Sequence, residues 1–61
     1  MNTTTTRDVQ TGPNWAIEFD EETNDYNAYE VVDGQRRYLG SRSQQYQARQ
    51  LISATLYPDP R

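Results

Sequence analysis

The sequence predicts an α+β fold, a three-stranded antiparallel β-meander packed on one C-terminal α-helix, in the order β-β-β-α. Three observations predict it. Trp15, Ile17 and Phe19 alternate with Ala16, Glu18 and Asp20, a period of two that gives a strand one buried face. Asp33-Gly34 separates two strand-like runs, and this dipeptide suits a type I′ turn, which needs positive φ at both central residues. Ala48, Leu51, Ile52, Thr55 and Leu56 fall on one helical face, with Pro58 and Pro60 beyond them, so an amphipathic helix stops near Tyr57.

Taken in order, residues 1–12 predict a disordered N-terminal tail. They hold four consecutive threonines and, after Met1, only Val9 to bury, too little to offset the entropy of ordering. The single domain is expected over 13–57, with an extended tail over 58–61. The first strand follows from the alternation at 15–20. Thr23-Asn24-Asp25 supplies turn chemistry, because Asn and Asp tolerate left-handed backbone. Residues 26–32 are rich in Tyr and Val, which favour strands.

A two-residue turn at Asp33-Gly34 fixes the second hairpin. Val32 faces Gln35, Glu30 faces Arg37, Tyr29 faces Tyr38 and Ala28 faces Leu39, and Glu30 with Arg37 forms a cross-strand ion pair. The Tyr29–Tyr38 face is the expected core face. It is continuous with Trp15, Ile17 and Phe19 if the first hairpin has a three-residue loop; a four-residue loop places the first strand on the other face. Ser41-Arg42-Ser43-Gln44 matches a capping box ahead of the helix, with Ser43 alone as the alternative cap.

Composition narrows the chemistry. The chain has no Cys and no His, so disulfides, thiolate metal sites, the commonest zinc ligand and the commonest general base are all missing. Asp20, Glu21, Glu22 and Asp25 cluster on a turn, where carboxylates are wet and do not acquire the divergent pKa values of a catalytic pair. Asp20-x-Glu22-x-Asn24 offers alternate oxygen ligands but lacks the Gly and the bidentate Glu of a calcium loop. Gly34 and Gly40 make no phosphate-binding motif. The expectation is a protein that is not an enzyme and uses no metal and no cofactor.

No apolar run approaches the roughly 18 residues that span a bilayer, and the N-terminus lacks a signal-peptide layout. A cytoplasmic location without membrane partners is expected. With 61 residues, about 45 of them in the domain, a core this small is marginal, and self-association as a homodimer is the remaining way to bury more surface.

Charge is segregated. Glu18, Asp20, Glu21, Glu22, Asp25, Glu30 and Asp33 fall between Ala16 and Asp33 with no basic residue among them, and Arg36, Arg37, Arg42 and Arg49 fall between Gly34 and Gln50 with no acid. The net charge is −3, which disfavours general coating of nucleic acid. The plain reading is that Arg37 pairs with Glu30, Arg36 lies over an aromatic ring and Arg49 is solvated. The functional reading places Arg36, Arg37 and Arg42 on phosphates or in a DNA groove.

Trp15-x-Ile17, Tyr29, Asp33-Gly34-x-Arg36, Tyr38-Leu39-Gly40-Ser41 and the helical Ala48 and Leu51 resemble the three-stranded-sheet-plus-helix DNA-binding domains of plant AP2 factors and tyrosine-integrase N-terminal arms. The resemblance spans residues 15–57. It implies DNA contact by basic sheet residues, which here would be Arg36, Arg37 and Arg42. The first hairpin departs from those families, being acidic where theirs is basic.

Two functions of different class follow. The first is a non-catalytic regulatory module that engages a protein partner (an adaptor, an inhibitor or a phage or plasmid accessory factor) through Glu18, Asp20, Glu22 and Asp25. The second is a DNA-binding accessory domain using the sheet arginines.

Overall fold

The computed structural model describes residues 5–58. Four strands form one antiparallel sheet in the order β1-β2-β3-β4, with Thr6–Thr11 as β1, Trp15–Asp20 as β2, Asp25–Val32 as β3 and Gln35–Arg42 as β4. A single helix, α1, runs over Gln45–Leu56 across one face. The α+β class and the meander agree with expectation; the strand count does not. The fourth strand comes from the segment read as a tail, of which residues 1–4 lie outside the described residues, as do residues 59–61 of the C-terminal tail.

β1 forms because β2 would otherwise leave an edge of unpaired backbone groups. Its own side chains supply little burial, Val9 alone packing against the core cluster. Thr6 pairs with Asp20, Asp8 with Glu18 and Thr11 with Ala16. An irregularity between Asp8 and Gln10 lets Val9 and Gln10 share the helix side. That bulge erases the period of two, which is why the strand is hard to read from the sequence.

The first hairpin turns through residues 21–24, with Asp20 opposite Asp25. Asn24 takes the left-handed backbone expected of it, at φ 60°. A four-residue turn sets Trp15 opposite Glu30, Ile17 opposite Ala28 and Phe19 opposite Tyr26. The core face is therefore the Ala28 face. The Tyr29–Tyr38 pair, expected in the core, lies on the opposite side of the sheet.

Small residues explain that choice. Ala28 and Ala48 are fully buried, and Gly40 stands opposite Ala28. A Cβ on Gly40 would sit 2.9 Å from the Leu51 side chain, so the helix approaches the sheet closely only where side chains are missing. Trp15, Ile17, Ala28, Ala48 and Ile52 make the core, flanked by Tyr26, Leu39, Leu51 and Leu56. Arg49, expected in solvent, lies with its guanidinium 4.5 Å from the Trp15 ring centroid and donates to Ser53 Oγ at 2.6 Å.

The second hairpin follows the predicted register from Val32/Gln35 to Tyr29/Tyr38. Asp33 and Gly34 adopt φ 53° and 78°, as a type I′ turn requires. Beyond Tyr38 the register slips by one, so Ala28 pairs with Gly40 rather than Leu39. The slip carries β4 through Arg42 and removes the expected caps. Ser41 is in the strand, the residue before α1 is Gln44, and no side chain caps the helix. Thr55, expected on the apolar face, is exposed.

Candidate functional site

The helix covers one side of the sheet and leaves the other bare. Alternation along each strand assigns the bare face: Thr6, Asp8 and Thr11 from β1, Ala16, Glu18 and Asp20 from β2, Asp25, Asn27, Tyr29 and Val31 from β3, and Arg36, Tyr38 and Ser41 from β4. Four carboxylates stand there against one guanidinium.

Arg36 organises this face. Its Nη1 donates to Asp8 Oδ1 at 2.8 Å and to Glu18 Oε2 at 2.5 Å, and its Nη2 donates to Asp8 Oδ2 at 3.1 Å. One side chain of β4 thus ties together β1 and β2 across β3. The hydrogen bond from Arg36 holds the Asp8 carboxyl below its ordinary range, and the hydrogen bond to Asp8 raises Arg36 further above its own.

The aromatic pair lies beside this bridge. The Tyr29 and Tyr38 rings meet edge to face with centroids 5.8 Å apart, a preferred geometry for aromatic quadrupoles. Tyr38 is 58% exposed and donates from Oη to Ser41 Oγ at 3.1 Å. Burial, then the nearby Glu18 charge, pushes the Tyr29 phenol above its ordinary value. Ala16 is buried although it faces this side; its cross-strand partner is Tyr29.

At the other end, Asp20 and Asp25 are directly opposed across β2 and β3, a like-charge arrangement that is unfavourable without a compensating cation. Asp20 Oδ1 accepts a hydrogen bond from the Glu22 backbone N–H at 2.9 Å. Glu22 itself is exposed in the turn, and the neighbouring Glu21 is paired with Arg7 at 2.6 Å. The structure therefore groups Glu18, Asp20 and Asp25 on one surface and leaves Glu22 at its rim. The sequence signal that Asp8 joins them is confined to a lone acid in a segment that reads as unstructured.

The three arginines singled out for nucleic acid do not share a surface. Arg36 is on the bare face and doubly engaged by carboxylates, not laid over an aromatic ring. Arg37 points to the helix side and pairs with Glu30, the cross-strand ion pair foreseen from the register. Arg42 lies at the far end of β4, opposite Tyr26, and donates to the Ser41 carbonyl at 2.7 Å. Among the described residues no group of three or more His, Cys, Asp or Glu is placed to hold a metal ion, and no helix is long and apolar enough to cross a membrane.

No protein-family model matches the chain, and no curated protein or solved structure matches it.

Proposed function

We infer that this chain is a non-catalytic binding module whose bare sheet face captures an arginine- or lysine-rich segment of a protein partner. The observation that carries the reading is the composition of that face, in which Asp8, Glu18, Asp20 and Asp25 lie to one side of the half-buried Tyr29 and the exposed Tyr38, and among the described residues of the face only Arg36 offsets them. Carboxylates attract a basic segment and speed its encounter. The Tyr38 ring accepts a cation on its face. Asp20 and Asp25, directly opposed and with no ion-pair partner among the described residues, are relieved by a cation that arrives there.

The same features speak against the AP2-like or integrase-arm reading. In a domain of that kind the sheet must meet phosphates with positive charge. Here the exposed sheet face is acidic, and Arg36, Arg37 and Arg42 are divided between two faces, Arg36 with Asp8 and Glu18 and Arg37 with Glu30.

Affinity capture from the source cell, with and without nuclease, tests the reading. The expected result is a captured protein that survives nuclease treatment and is lost with the Asp20→Lys/Asp25→Lys variant. Retention of nucleic acid alone, abolished by nuclease and by Arg36→Ala, would return the DNA-binding alternative.

A further inference from the structure

β1 is attached differently from the other strands. Its one apolar anchor is Val9; beyond the backbone ladder to β2, its side-chain hydrogen bonds and ion pairs are exposed, namely Arg7 to Glu21, Asp8 to Arg36, and Gln10 to Gln45 at 3.2 Å. Arg7 also lies over the Phe19 ring, with its guanidinium carbon 5.2 Å from the centroid. Releasing β1 exposes little apolar side chain, but it uncovers the backbone edge of β2, where Ala16 and Ile17 are buried. An open edge of that kind is a template for another strand.

The connection from β1 to β2 is the second observation. It is three residues long, Gly12-Pro13-Asn14, and is closed by a hydrogen bond from the Gly12 N–H to the Trp15 carbonyl at 3.0 Å. The Trp15 indole fills the space beside Gly12 so fully that a Cβ there would lie 2.1 Å from its Nε1. The indole cannot easily yield, being in the core beneath Arg49. Closure of the arm onto its own sheet therefore depends on glycine at position 12. Pro13 limits the local backbone to φ near −65° and favours an extended chain before it.

We propose that β1 is an exchangeable strand, and that a second copy of this chain donates its Thr6–Thr11 segment to the vacated β2 edge to give a strand-exchanged dimer. The donated strand is identical to the one it replaces. Every link restored in the dimer, Asp8 to Arg36 and Glu21 to Arg7 included, already exists in the monomer, which is why exchange is a low-cost route to association. A hinge of only three residues leaves the chain little slack for closure, and short hinges are where exchange competes with it. The exchanged particle carries two bare acidic faces.

Thr6 and Asp20 are cross-strand partners, and the chain has no Cys of its own, so the test uses single thiols. Chains carrying Thr6→Cys alone and Asp20→Cys alone are mixed at high concentration and oxidised. Exchange predicts a mixed disulfide dimer formed several-fold faster than when Thr6→Cys chains are mixed with Gln50→Cys chains, whose thiol lies on the exposed side of α1. Adding Gly12→Ala to both chains raises the dimer fraction further, read by light scattering on the reduced protein. Equal rates for Asp20→Cys and Gln50→Cys in the unaltered hinge overturn the proposal, and that comparison stands even if Gly12→Ala does not fold.

Discussion

A single guanidinium, that of Arg36, is shared by carboxylates from β1 and β2, and its effect on pH dependence has a definite sign. Its hydrogen bond keeps Asp8 ionised in the folded chain below the ordinary carboxyl value of 3.8. In the unfolded chain Asp8 returns to that value. The stabilisation is therefore fully present above pH 3.8 and is lost as pH falls through the lower folded value. Each exposed pair contributes about 0.2–1 kcal/mol, so the effect is small and weakened by salt. Urea midpoints measured from neutral to strongly acid pH check it. Arg36→Gln lowers the midpoint at neutral pH and makes the decline below pH 3.8 shallower than in the parent chain; parallel curves would show that Asp8 and Arg36 are not coupled. Nothing in the sequence pairs Asp8 with Arg36, because Asp8 sits in an unpatterned segment and the face that Arg36 shares with Tyr29 and Tyr38 was expected to lie in the core.

At the scale of elements, the fold is decided by where the chain omits side chains. The slip after Tyr38 brings Gly40 opposite Ala28, under Leu51, and Gly40 holds φ 153°. Alanine at this position meets both a close contact and an unfavourable backbone, so Gly40→Ala costs about 1–3 kcal/mol. Chemical denaturation measures the loss. Stability unchanged from the parent chain would mean that the helix does not sit so close to β4. The Asp33-Gly34 hairpin and the α1 apolar face were legible because each is specified locally, by turn chemistry and by helical spacing. The sheet face under the helix was not. It depends on whether the first turn has three residues or four, and Thr23-Asn24-Asp25 suits both. The slip at Leu39 was equally hidden, since Tyr38-Leu39-Gly40-Ser41 reads as a regular strand leading into a capped helix. β1 was missed for a related reason: its pairing comes from backbone groups and ion pairs with distant residues, while its own composition resembles a solvated tail.

The whole molecule is a thin one, a sheet with a single helix on one side and a bare acidic surface on the other. That asymmetry unites the fold with the proposed activity. Covering Trp15, Ile17 and Ala28 takes the one helix of the described residues, and the charged and aromatic residues left outward on the sheet are four carboxylates, Tyr29, Tyr38 and the bridging Arg36. The acidic half foreseen in the sequence survives as a surface because Glu18, Asp20 and Asp25 fall on one side of the pleat. The basic half does not, because the pleat and the slip at Leu39 leave Arg36 on the bare face and put Arg37 and Arg42 on the helix side. Amide-shift mapping by NMR, with an arginine-rich peptide and separately with duplex DNA at low salt, puts this to the test most directly. Peptide-induced shifts should concentrate at Glu18, Asp20, Asp25, Asn27, Tyr29 and Tyr38, disappear with Asp20→Lys/Asp25→Lys, and persist when two lysines are placed on the helix instead with Gln50→Lys/Ala54→Lys. Shifts centred on α1, equal loss in both variants, or saturable DNA binding through Arg37 and Arg42 would contradict the account.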